Sequence, residues 1–179
     1  MNPKIFVIVA LVAVLFLTRK KTESMKEKSY TLQDAEDAFS VVVQHFPKEI
    51  ASQLEKLFRL ETAHFKSGQF RRSGSAGMVA IKESFPYGWN SLKEYLNTDL
   101  AVDKNPENYG IISMNVRGKE YKYISFPNLV DSFLFVAWFI GAKRGGNFAA
   151  WYSLNSEKQK EYRSKMAGVR TPFVNSLYV

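Results

Sequence analysis

The run Ile5–Leu17, IFVIVALVAVLFL, contains no polar or charged side chain. An amphipathic helix or a half-buried strand must interleave polar positions, so this run fits neither. Lys4 precedes it and Arg19-Lys20-Lys21 follow. A membrane-crossing helix needs roughly 20 apolar residues, with about 17 at the low end. The run reaches that limit by recruiting Met1–Pro3 and Thr18. A secretory signal is the other reading, since such apolar regions span about 7–15 residues. No small-x-small cleavage pattern follows, so residues 1–21 are read as an uncleaved anchor, with residues 4–18 in lipid. Residues 22–30 are mostly polar and form a tether. That leaves residues 31–179 as one domain, about 150 residues being a usual domain size.

Periodicity within the domain points to an α+β, mainly helical fold. Thr31 to Phe46 reads as a helix, capped by Thr31 with Asp34 three residues on, and carries the stripe Ala35, Ala38, Phe39, Val42 and Val43. Pro47 ends it. A second helix is expected from Lys48 to His64, with Ile50, Leu54, Leu57, Phe58 and then Phe65 as apolar positions. Lys66 to Asn90 is rich in Gly and Ser at its start and reads as loop, with a short helix at Ser91–Asn97. Asp99–Gly110 is irregular. Ile111–Val116 and Tyr121–Phe126 read as a β-hairpin turning at Arg117-Gly118. Pro127 opens a long apolar helix that ends at Gly145-Gly146, and Asp131 within it argues for a buried central helix over a membrane span. A short helix is expected at Asn147–Tyr152. Ser156 is expected to cap a last helix, Glu157–Val169, and Pro172 marks a break. Helices, a hairpin and more helices suit a small β-lobe against a helical lobe, with a cleft between.

Composition excludes some chemistry. There is no cysteine, so thiolate metal sites and disulfides are absent, and two histidines, His45 and His64, are too few for a histidine-based metal site. No metal or cofactor is expected. Net charge is +8, which favours anionic partners. Aromatic residues reach 15%, suiting sugar-stacking walls as well as a core.

Glu61 lies four residues after Leu57 and seven after Leu54, so it projects from the apolar stripe of its own helix. Acidic residues are rarely buried without a reason. A carboxyl on a semi-apolar surface has its charged form disfavoured, and the helix C-terminus acts in the same direction. A carboxyl that holds its proton near neutral pH is what a glycosidase needs to protonate a leaving oxygen. The alternative is a buried ion pair with Arg59, Arg71 or Arg72.

The stretch LEKLFRLETAHFKSGQFRRSGSAGM resembles the peptidoglycan-cleaving members of the lysozyme-like superfamily, above all the glucosaminidase family (glycoside hydrolase family 73) and related phage lytic enzymes. In that family a helix ends in an acid followed by Ser or Thr, a small residue, an aromatic and a Ser. Glu61-Thr62-Ala63-His64-Phe65-Lys66-Ser67 can be laid on it, with Ala-His-Phe where the family has Gly-Trp-Gly. Tyr123–Asn128 resembles the family's return from its β-lobe into the core helix, and Trp151-Tyr152 with Tyr162 resembles its late segment with two spaced tyrosines.

The resemblance implies a lysozyme-like two-lobed fold acting on peptidoglycan. The bond cut is the β-1,4 link between N-acetylmuramic acid and N-acetylglucosamine, or the reverse link. Glu61 would be the general acid. Tyr152, Ser67, Trp89 and Tyr87 are candidates to line the substrate site. An inverting enzyme also needs a second carboxylate roughly 6.5–9.5 Å from the first, for which Asp99, Asp103, Glu107 and Glu120 are the candidates. Without one, the substrate's N-acetyl group or its 6-hydroxyl serves, and the latter makes a lytic transglycosylase.

The expected setting is a single-pass membrane protein facing the cell wall. The denser positive charge after the apolar run points the domain inward instead, a conflict that a virus-particle membrane removes. A second class of reading is a non-catalytic, membrane-anchored virion or wall-binding protein. Nucleic acid is not an expected partner, because no recognition motif or dense basic stripe is present.

Overall fold

The computed structural model describes residues 29–76, 87–116 and 118–178. The anchor and most of the tether lie outside these residues. Among the described residues, no helix is long and apolar enough to cross a membrane.

Helices dominate and one two-stranded antiparallel sheet completes the fold, an α+β arrangement as the sequence implies. The first helix, α1, spans Leu32–Val42, followed by a 3-10 turn, Val43–His45. Its start is the capping box expected from Thr31 and Asp34: each side chain takes the other's backbone N–H. Helix α2 spans Lys48–Glu61, three residues shorter than its apolar pattern suggests. Ile50, assigned above to the stripe, is 38% exposed, while Ala51, Leu54, Leu57 and Phe58 are buried.

Two further boundaries differ from expectation. The Gly/Ser-rich segment contains a short helix, α3, Gly68–Ser73. Ser67 caps its start and Gly74 ends it with a left-handed φ of 68°. A Cβ at Gly74 would lie 2.7 Å from the Tyr30 ring, so glycine is needed there for space as well. Helix α4 spans Tyr87–Leu96, four residues longer at its start than read from sequence.

Strands β1, Gly110–Val116, and β2, Lys119–Ser125, pair in the expected hairpin, with Ile112 opposite Tyr123 and Met114 opposite Tyr121. The base of the hairpin is tied to α3, where Phe126 N–H donates to Ser73 O at 3.2 Å. Helix α5, Leu129–Arg144, is the buried central helix. Pro127, expected as its first residue, lies outside the helix, and Asn128 caps it by accepting from the Asp131 N–H. A 3-10 turn at Phe148–Trp151 precedes α6, Ser156–Ala167, capped by Asn155 rather than Ser156. Pro172 starts a final short helix, α7, Pro172–Leu177.

The core is aromatic. Phe58 and Phe133 stack at 4.6 Å, Phe65 and Phe173 at 5.6 Å, and Phe39 meets Phe58, Phe133 and Phe173. Burying side chains of this size contributes about 2–3 kcal/mol each, enough to hold α1, α2, α5 and α7 together.

Two buried acids secure the frame. Asp131 in α5 accepts from Tyr95 Oη and Val102 N at 2.8 Å, and from Asp103 N and Asn128 Nδ2 at 2.9 and 2.8 Å. It pins the irregular segment after α4 to the central helix. Glu55 in α2 accepts from Arg59 Nε at 2.7 Å, Phe173 N at 3.1 Å and Val174 N at 2.9 Å, so it docks the first turn of α7.

Candidate active site

Glu61 is the last residue of α2, and an unusual turn follows it. Ala63, His64 and Phe65 all adopt left-handed backbone, with φ of 49°, 56° and 65°. Left-handed conformation costs a residue other than glycine roughly 1–2 kcal/mol, so three in a row need compensation. Thr62 provides much of it. Its Oγ1 donates to Phe58 O and accepts from Phe65 N at 2.8 Å, and its carbonyl accepts from Lys66 and Ser67 N–H. His64 N donates to Arg59 O at 2.7 Å. The turn also drives Phe65 into the core. His64 is exposed. The chain thus leaves α2 sharply just after Glu61, and the carboxyl stands at a corner of the fold, half-buried.

Among the described residues the carboxyl has one hydrogen-bond partner. Tyr162 Oη, from buried Tyr162 on α6, donates to Glu61 Oε1 at 2.5 Å across 101 residues of sequence. Among the described residues Glu61 forms no ion pair. Arg59, the nearest arginine in sequence, is turned away: it pairs with Glu55 and lies over Phe173 at 4.4 Å. Burial pushes the Glu61 carboxyl above its ordinary pKa, and the Tyr162 hydroxyl pulls it partly back. Tyr162 is itself pushed far up, first by burial and then by the Glu61 charge, so its phenol stays a donor at any working pH.

Tyr152 completes the cluster. Its ring stacks on Tyr162 with centroids 4.9 Å apart and planes 7° from parallel, while the residue stays 52% exposed. Exposed Leu154 lies two residues on. The aromatic platform is therefore coupled to the acid through Tyr162: platform, phenol and carboxyl form one chain of contacts. Sequence reasoning named Glu61 and Tyr152 but gave Tyr162 no role. The signal was the ten-residue spacing of the two tyrosines, which on its own did not say which one reaches the acid.

The other candidates have these surroundings. Ser67 is half-buried and serves as the cap of α3, accepting from Phe70 N at 3.1 Å. Trp89 is packed against the core, and Tyr87 is the first residue of α4. Asp99 is exposed and lies 3.7 Å from Lys104 Nζ. Asp103 organises its own loop, accepting from Asn105 N and Asn108 Nδ2. Glu107 is exposed in a 3-10 turn capped by Asn105, and Glu120 is exposed on β2 opposite Asn115. None of the four is in hydrogen-bond contact with Glu61. Among the described residues no group of three or more His, Cys, Asp or Glu is placed to hold a metal ion.

No protein-family model, curated protein or solved structure matches this chain.

Proposed function

We propose that this chain is a lysozyme-like, membrane-anchored glycosidase that cuts the glycan strand of peptidoglycan, with Glu61 as general acid. The observation that carries the reading is a half-buried carboxyl that, among the described residues, has no cationic partner and a single phenolic hydrogen bond. A purely structural acid in this fold looks different, as Glu55 and Asp131 show with three and four donors. Protonated Glu61 delivers its proton to the glycosidic oxygen as the bond to the anomeric carbon breaks. The resulting carboxylate then takes a proton from the attacking nucleophile. Tyr162 holds the carboxyl in one orientation, and the open half of Tyr152 offers a flat surface for a sugar ring. The left-handed run Ala63–Phe65 supports the resemblance, because it falls where the family carries Gly-Trp-Gly, and glycine adopts such backbone without strain.

One observation favours a second reading, a lytic transglycosylase. Each of the four candidate second acids is solvent-exposed or engaged in its own loop. A substrate-supplied 6-hydroxyl needs no second carboxylate, and it closes an anhydro ring while Glu61 alternates as acid and base. In either case residues 1–21 would tether the domain to the membrane of a cell or a virus particle, facing the wall.

Mass spectrometry of soluble fragments from purified sacculi tests the proposal and separates its branches. Reducing N-acetylglucosamine ends mark a glucosaminidase, reducing N-acetylmuramic acid ends a muramidase, and anhydro ends a transglycosylase. If folded protein releases no fragments under any condition, the enzymatic reading is wrong and a binding role replaces it.

A further inference from the structure

The side of α6 next to Tyr162 faces a cavity of about 690 Å³. Its lining includes Gln53 and Lys56 from α2, Asn147 and Phe148 from the turn after α5, and Arg163 and Met166 from α6. The volume falls in the range of small-ligand sites, roughly 300–1,000 Å³, and far exceeds the needs of a bare inorganic ion.

Its charge is one-sided. Among the described residues two cations line it and no carboxylate does. Among the described residues neither Lys56 nor Arg163 lies within ion-pair distance of an acid, as holds for several other surface cations. Arg163 is nevertheless held in place: its Nη2 donates to Asn147 Oδ1 at 3.2 Å, Asn147 Nδ2 donates to Gln159 Oε1 at 3.0 Å, and Gln159 Nε2 donates to Ser153 O at 3.0 Å. This relay is neutral throughout, so it orients the guanidinium and leaves its charge uncompensated. The remaining walls suit a peptide: carboxamides from Gln53 and Asn147 match backbone amides, and Phe148 and Met166 offer apolar contact.

We propose that this cavity binds a peptide through its carboxylate. Given the glycosidase reading, on which this source rests, the peptide is a stem attached to the glycan being cut. The forked N–H groups of an arginine match a carboxylate, and Lys56 adds a second positive charge. Lys56 precedes Glu61 by five residues of α2, roughly 7.5 Å along the helix axis and about 140° around it, and Arg163 follows Tyr162 on α6, so the cavity flanks the two helices that carry Glu61 and Tyr162. Phosphate shares the charge chemistry but would leave most of the volume empty.

The test is calorimetric titration of the full chain in detergent with three probes. These are an acetylated Ala-Glu-Lys-Ala peptide with free carboxylates, its fully amidated counterpart, and inorganic phosphate. The free-carboxylate peptide should bind best, and Lys56→Gln or Arg163→Gln should each weaken it about fivefold, with the amidated peptide unaffected. Lys56→Gln touches no element of the relay, so its result stands even if Arg163→Gln disturbs the turn. Equal binding of both peptides, phosphate binding as tight as the peptide, or indifference to both substitutions would overturn the assignment. The glycosidase reading fails separately: peptide binding without any glycan cleavage removes the enzyme and keeps the cavity, and cleavage without peptide binding does the reverse. If both hold, the two variants raise KM on stem-bearing glycan and leave KM on stem-free glycan unchanged.

Discussion

Of the three acids on helix α2, Glu55 and Glu61 lie six residues apart and in opposite circumstances. Glu55 is fully buried and fully answered: a guanidinium and two backbone N–H groups surround it. Glu61 is half-buried and meets one neutral phenol. The first arrangement meets a buried carboxyl with three donors and so fastens α7 to α2. The second makes ionisation costly, and the Tyr162 hydroxyl recovers only part of that cost. The pair shows that burial alone does not mark a reactive acid. The donor set does, because donors decide whether the proton stays.

The contrast predicts different failures at the two positions. Glu61→Gln should leave folding intact and reduce glycan cleavage about 10³-fold, within the range for loss of a general acid. Glu55→Ala should do the opposite: it strands the buried Arg59 and should cost about 3–5 kcal/mol of stability in denaturant unfolding, with kcat on any surviving folded fraction unchanged. If Glu55→Ala abolished cleavage without destabilising the fold, the division of labour would be wrong.

Tyr162→Phe sharpens the comparison at the Glu61 end. Losing one hydrogen bond should lower kcat about fivefold. The pH profile carries the more specific sign. The Tyr162 hydroxyl lowers the Glu61 pKa, so its removal raises it. A general acid works only while protonated, so the alkaline limb of the profile should move to higher pH. A limb that stays put, or moves to lower pH, would show that Tyr162 does not set the proton affinity of Glu61. The smallest effect is expected at Tyr152, where Tyr152→Ala should raise KM a few-fold, about 1 kcal/mol of stacking, with kcat nearly unchanged.

How legible this was in the sequence depended on the range of each interaction. The Thr31–Asp34 cap, the hairpin and the burial of α5 follow from residues close in sequence, and the structure shows all three. The end of α2 did not follow. Apolar periodicity continues to Phe65, but the helix stops at Glu61 and a left-handed turn delivers Phe65 to the core by another path. No glycine announces that turn; Thr62 holds it through hydrogen bonds that only the folded chain reveals. Helix α3 hid in a Gly/Ser-rich stretch because its two stops, Ser67 and Gly74, resemble loop residues when the cap geometry is unseen. At the site, Glu61 was visible as an acid on an apolar stripe, while its partner Tyr162 lay 101 residues away. The partner of Arg59 was closer to hand: Glu55 sits four residues earlier, the spacing that brings side chains together on one helix face.

The physical claim beneath all of this is that the Glu61 carboxyl keeps its proton more tightly than an ordinary glutamate. Site-resolved titration of the glutamate side-chain carboxyls by carbon NMR, with Glu61→Gln to assign the resonance, measures it directly. The account predicts a midpoint for Glu61 above the ordinary glutamate range, moving higher still in Tyr162→Phe. A midpoint at or below that range would contradict it, because a carboxyl that gives up its proton so readily has none to donate to a glycosidic oxygen near neutral pH.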